Sequence, residues 1–286
     1  MRMRLLFLLF TSWLGVAPLL AQPMYDIYVP KPYGAYDVGV DCKDVPSWVA
    51  FSGLVAESSA ADMTKAAECS KRTGMKWVLK FGFSNDPMNG AGDVASIRTR
   101  TIVTGLLPYI VAVQFNEEWQ RQVMEGKWGS PTFDLVDQVT QFGGAQHRLL
   151  KDVFGLPVIY TDSFVNSNKV YGLAYYKPLP PFTEVLALET YVPKGSTWDA
   201  SVKIPIEYTL ATTPATMPIV LIAQTFRHPK EWNDQWQDGP KPEYGVEFKK
   251  LMEHPRVIAA WLFTWRNRPN GIVGIEGMKN VVGWFR

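Results

Sequence analysis

The chain has 286 residues, 47% hydrophobic and 20% charged, which provides a large core and excludes disorder as the main state. Its formal net charge is +2, from both signs interspersed, so nothing marks nucleic acid as a partner. Three histidines and two cysteines leave little for a zinc site, so neither a metal nor another cofactor is expected.

Residues 1–22 (MRMRLLFLLFTSWLGVAPLLAQ) begin with basic Arg2 and Arg4 and continue through an apolar run to Leu20. Ala21 suits the position before a cleavage site, so this segment is expected to be a signal peptide. The run approaches the length of a short membrane span, but Pro18 and the small-residue end favour cleavage. Residues 23–286 are then one exported domain, secreted or periplasmic, with no stable membrane insertion. The oligomeric state stays open.

Tyr36 to Cys42 (YDVGVDC) has strand character. Too few residues separate it from Trp48 for a crossover helix. Either the first helix is missing, or this segment is a lid and an eighth strand lies near Ile272 to Ile275. Trp48 to Glu57 (WVAFSGLVAE) is an apolar strand. Ser59, with Asp62 three residues on, caps a helix over 60–73 that Gly74 stops. Cys42 and Cys69 either form a disulfide closing about 27 residues or are two separate buried thiols. Strand Lys76 to Phe83 (KWVLKFGF) follows at once, and its Lys80 is a cation that needs a partner if buried.

Tyr109 to Glu117 (YIVAVQFNE) is a further strand. Ser130-Pro131 predicts the start of a helix over about 132–154, closed by Gly155, with His147 and Arg148 on its surface. Strands follow at Pro157 to Asp162 (PVIYTD) and Glu184 to Tyr191 (EVLALETY). A helix over 199–212 is interrupted by Pro205. Strand Pro218 to Phe226 (PIVLIAQTF), a helix over 244–253 and strand Val257 to Trp265 (VIAAWLFTW) complete the pattern.

These strands are near-continuous apolar runs, the mark of a parallel sheet buried on both faces. No Gly-rich dinucleotide fingerprint follows the first strand. The alternation and length predict an α/β fold, a (β/α)8 TIM barrel with an irregular or missing first helix. All strand C-termini then meet at one mouth, and these strands end in polar or aromatic residues: Asn116 and Glu117, Asp162, Glu189 and Tyr191, Gln224, and Trp265. Two carboxylates across a mouth suit glycosidic bond cleavage, one protonating the leaving oxygen and the other attacking or activating water. The abundant aromatics (11 Trp, 12 Tyr and 15 Phe) include candidates to stack on sugar faces, among them Trp77, Trp198 and Trp265.

VAVQFNEEW resembles the fourth strand of clan A glycoside hydrolases, which ends in Asn-Glu with the Glu as acid/base. The resemblance implies Glu117 as general acid/base, Asn116 as a donor to a sugar hydroxyl, and Trp265 at the sugar site on the eighth strand. That clan places its nucleophile Glu at the end of the seventh strand, where this sequence has Gln224. Glu189, ending the sixth, is the replacement candidate, and Asp162 is a third carboxylate. PVIYTDSF also resembles the Tyr-Asp-Ser strand end of barrel glycosidases acting on α-mannans.

The expected function is cleavage of a polysaccharide or oligosaccharide, with Glu117 and Glu189 catalytic and Asn116, Asp162, Tyr191, Gln224 and Trp265 binding substrate. The alternative is a non-catalytic carbohydrate-binding barrel that lost its nucleophile. A third reading, a phosphodiester hydrolase, requires a divalent metal at the strand ends.

Overall fold

The computed structural model describes residues 31–36, 38–43, 45–82, 88, 90–115, 132–163, 179–230, 238–264, 272–278 and 280–286. The expected signal peptide, Asn116, Glu117 and Trp265 lie outside them.

Eight parallel strands close into a barrel in sequential order: β1 (Tyr33–Ala35), β2 (Val49–Val55), β3 (Lys76–Phe81), β4 (Ile110–Phe115), β5 (Val158–Ser163), β6 (Val185–Thr190), β7 (Ile219–Gln224) and β8 (Val257–Phe263). Closure comes from β1 pairing with β8, with Gly34 opposite Trp261. The helices described are α1 (Ala60–Thr73), α2 (Val94–Val103), α3 (Phe133–Phe154), α4 (Ile204–Thr212), α5 (Pro242–Met252) and α6 (Val281–Phe285). None of the described helices is long and apolar enough to cross a membrane.

Local chemistry sets these boundaries. Ser59 accepts from the Asp62 N–H at the start of α1, and Gly74 ends it in the left-handed region at φ 78°. Only glycine adopts that conformation without strain. Helix α3 is capped by Thr132, which accepts from the Leu135 N–H at 3.1 Å, so the cap lies two residues after the predicted Ser130. Pro205 does not stop the helix: a π-helical turn at Asp199–Lys203 runs directly into α4, of which Pro205 is the second residue.

The first strand differs from expectation. It is the three residues Tyr33–Ala35, and the described residues of 36–42 are turn and loop. Among the described residues of 36–48 there is no helix, so the barrel lacks its first crossover helix. A disulfide between Cys42 and Cys69, with Cα atoms 5.6 Å apart, ties this loop to α1. Arg72 adds a hydrogen bond to the Asp41 carbonyl at 2.8 Å. The alternative eighth strand near 272–275 is overturned: Val273 makes one antiparallel bridge to Arg227, and β1, paired with both β2 and β8, takes that place.

Two apolar layers follow from strand alternation. One lies between barrel and helices and includes Trp77, Leu79, Tyr160, Leu188 and Leu221. The other fills the lumen, with Phe51, Val78, Ala112, Ile159, Ala187, Ile222 and Trp261. Trp77 is a core residue rather than a sugar platform: its indole N–H donates to Ala66 O and Ser70 Oγ. Trp198 is buried and stacks on Tyr244 at 5.7 Å.

Candidate functional site at the barrel mouth

Toward the C-terminal ends of the strands, the lumen changes from apolar to polar on one side. Each polar residue there is the next inward position after a lumen residue. Lys80 follows Val78 on β3, Gln114 follows Ala112 on β4, and Thr161 follows Ile159 on β5. Glu189 follows Ala187 on β6, and Gln224 follows Ile222 on β7. Gln114 Nε2 donates to Thr161 Oγ1 at 3.0 Å, linking two of these strands. Glu189 is 8% exposed and stands opposite Ser163 and Ile222 in register.

The other side of the mouth is aromatic. Tyr36, just after β1, contacts Trp261 at 4.8 Å and Phe263 at 4.7 Å between ring centroids. Phe263 contacts Phe226 at 5.4 Å and Tyr191 at 6.2 Å. Tyr191 and Phe226 meet edge to face at 5.4 Å, a favoured quadrupole geometry. The peptide between Phe263 and Thr264 is cis. Lys80 joins the two sides: its ammonium lies 3.5 Å from the Tyr36 ring centroid.

The sequence-predicted residues separate in this frame. Glu189, Tyr191 and Gln224 come together on the lumen side. Asp162 alternates with Thr161 and shares the strand face of Tyr160, whose ring lies 6.4 Å from His147 in α3. It therefore belongs to the helix-facing side of β5, away from Glu189. Gln224 reaches the mouth, but its Oε1 accepts from the Val192 N–H at 3.2 Å and its Nε2 donates to the Phe226 carbonyl at 3.4 Å.

His147, expected on the surface, is fully buried. It pairs through Nδ1 with Thr183 Oγ1 at 3.0 Å and packs on Phe115 and Tyr160. Burial lowers its pKa to about 3, so it is neutral and packs as part of the wall. Lys80 as a lumen residue, and the ring set Tyr36, Phe226, Trp261 and Phe263, were not singled out from sequence as site residues. Period-2 alternation inward from Trp261 and Lys80 is the signal that finds them. Among the described residues no group of three or more His, Cys, Asp or Glu could hold a metal ion.

A closed parallel barrel with a half-polar, half-aromatic mouth belongs to the (β/α)8 class, whose chemistry lies at the strand C-termini. No family model and no curated protein matches the sequence. Solved structures do match in fold. Gas2 of Saccharomyces cerevisiae, in complex with a small compound, shares 12% identity at TM-score 0.52 over 87% of this chain and 60% of its own. The chain thus spans about three fifths of that protein. A Cellulomonas fimi endo-beta-1,4-mannanase shares 13% identity at TM-score 0.53 over 93% of this chain and 72% of its own. Gas2p in complex with laminaritetraose and laminaripentaose gives TM-score 0.51 at 12% identity over 84% and 55%. This chain has the barrel fold found in glycoside hydrolases, and at such identities the likeness is one of fold.

Proposed function

We propose that the protein is an exported glycoside hydrolase acting on a polysaccharide or oligosaccharide at this mouth. The observation that carries the reading is the inward carboxylate of Glu189 on β6, at the border between the polar side of the mouth and the aromatic wall that begins with Tyr191. A sugar ring presents apolar C–H faces and a hydroxylated edge, and a mouth divided this way suits both. The local resemblance of VAVQFNEEW supports Glu117, two residues beyond β4, as the acid that protonates the leaving oxygen. Glu189 is then the ionised partner, attacking the anomeric carbon or activating water; the separation of the two carboxyls sets the stereochemical outcome. Asn116, Tyr191 and Trp265 complete the sugar contacts. Asp162 supports β5 from the helix side, and Gln224 acts through the backbone it holds. The disulfide accords with an oxidising compartment and so with export.

The test is a polysaccharide panel that starts with β-1,4-mannan and laminari-oligosaccharides, the ligands and substrates named for the structural neighbours. The parent is expected to release oligosaccharides. Glu117→Gln and Glu189→Gln are expected to lose at least about a hundredfold in rate while retaining binding. Cleavage unaffected by both substitutions would overturn the assignment.

One observation favours a second reading, a carbohydrate-binding barrel without catalysis. The position where the resemblance places the nucleophile is an amide hydrogen-bonded to backbone at both ends. Binding by the parent with no cleavage of any glycan would select it.

A further inference from the structure

We infer that a second glycan-binding cleft lies outside the barrel mouth, between the segments that follow β7 and β8, and that it takes a neutral stretch of the polysaccharide beyond the part held at the mouth. This rests on the carbohydrate reading above and extends it to a polymeric substrate. The cleft has a volume of about 500 Å³. Arg227 and Asp238 line it from the β7 side, and Met278, Asn280 and Trp284 line it from the β8 side. That volume is within the range of small-ligand sites.

The backbone places the cleft directly behind the aromatic wall. Arg227 and Val273 exchange both backbone hydrogen bonds at 3.0 Å, which joins the two segments at that point. Phe226 and Ile272, the residues just before this pair, pack with the lumen cluster. Successive side chains of extended backbone alternate in direction, so Arg227 turns away from the wall and into the cleft. Gly239 seats it: its φ is 68°, and a Cβ there would stand 2.9 Å from Arg227 Cβ. Wall and cleft are thus two sides of one short pairing.

The lining suits a sugar. Trp284 and Met278 are half-buried, packed against the outer core, and still line the cleft. A ring anchored in this way offers an apolar surface to the C–H face of a pyranose. Arg227 and Asp238 are exposed and, among the described residues, form no ion pair with each other. The guanidinium is then available as a donor, the carboxylate as an acceptor, and the Asn280 amide as both. The two formal charges cancel. Donors and acceptors side by side without net charge match hydroxyls, each of which donates and accepts. An anion would meet repulsion from Asp238.

A polymer held at the mouth is presented to the cleft at high effective concentration, and a short oligosaccharide gains nothing from the second site. The experiment measures binding by calorimetry in the Glu117→Gln protein, where the polymer is not cleaved. The probes are β-1,4-mannan and laminarin, each beside the trisaccharide of its own linkage, and inorganic phosphate. The reference protein is expected to bind one polymer at least about tenfold tighter than its trisaccharide. Arg227→Ala/Asp238→Ala and Trp284→Ala are each expected to remove most of that advantage and to leave trisaccharide affinity within about twofold. Trp284→Phe, which keeps an aromatic ring, is expected to restore it. The exposed Arg227/Asp238 pair decides the matter if Trp284→Ala fails to fold. A polymer advantage that survives both substitutions, or trisaccharide bound as tightly as polymer, would overturn the inference while the site at the mouth stands. Phosphate binding that Arg227→Ala abolishes, with polymer affinity unaltered, would make the cleft an anion site and overturn it equally. Binding of no glycan at all would overturn both readings.

Discussion

Gln224 Oε1 accepts a hydrogen bond from the Val192 backbone N–H at 3.2 Å, fastening the end of β7 to the chain leaving β6. Its Nε2 faces the Phe226 carbonyl, so the side chain is used as both acceptor and donor. The amide does both, and the isosteric carboxylate only accepts. A carboxylate here keeps the Val192 contact but sets negative charge against a carbonyl in a buried position. Gln224→Glu is therefore expected to lower unfolding free energy by about 2–3 kcal/mol and to create no new cleavage activity. Urea denaturation and the glycan panel check this. A Gln224→Glu protein of parental stability with new or enhanced hydrolysis would show that the seventh strand retains a nucleophile position.

His147 makes stability depend on pH in one direction. Its folded pKa lies near 3 because burial disfavours the imidazolium, whereas the unfolded chain protonates it near 6.5. Between those values the unfolded state binds more protons, so stability rises with pH. The contribution is fully present above about pH 6.5. It declines by about 1.4 kcal/mol per unit as pH falls toward 3. Comparing unfolding free energies at pH 7.5 and pH 5 for the parent and for His147→Gln gives the measurement. The variant is expected to be weaker at pH 7.5 and to lose less between the two pH values.

How far the sequence led follows from which physical signals it carried. Strands β2 to β8 were legible because parallel strands buried on both faces are apolar without interruption, and their polar endings marked the mouth. The same double burial hides which face each residue takes. In VLALET nothing in hydrophobicity separates Leu188 from Ala187, so inward Glu189 and outward Asp162 looked equivalent as strand-terminal acids. His147 was misread because it is polar. It nevertheless extends the stripe Val136, Val139, Leu150, all buried on α3, at helical spacing. Helix α2 was missed because its buried face has only Val94, Ile97 and Thr101. The missing crossover helix was legible, since loop length is a geometric constraint. The disulfide that replaces it was not, since two cysteines fix no distance until folded.

That disulfide gives a third expectation. Cys42 and Cys69 enclose a sequence separation of 27 residues, for which the chain-entropy relation gives about 3.5 kcal/mol of stabilisation. Both residues are buried. The Cys42→Ala/Cys69→Ala protein is expected to lose about that amount in urea denaturation and to be insensitive to reductant. The parent is expected to fall to a similar stability only when unfolded and refolded with reductant. Equal stability of parent and variant under oxidising conditions would mean that Arg72 and the packing of α1 hold the loop without the crosslink.

Two helical glycines near the C-terminus give a prediction of opposite signs. A Cβ on Gly245 in α5 would stand 2.3 Å from the Trp284 carbonyl oxygen and 2.5 Å from its carbonyl carbon. Backbone cannot yield as a flexible side chain does, so α5 and the short α6 must separate. Gly245→Ala is expected to cost about 1–3 kcal/mol, despite the helix preference for alanine over glycine. Gly283, in α6, has nothing within 4 Å of its would-be Cβ. There the entropy of the unfolded chain dominates, and Gly283→Ala is expected to stabilise by about 0.5–1 kcal/mol. Thermal melts of both variants test this pairing. A destabilised Gly283→Ala with an unaffected Gly245→Ala would mean that α6 does not pack on α5 through this contact, and that other contacts hold the chain end, among them Phe248 of α5 against Phe285, whose rings meet edge to face at 5.4 Å.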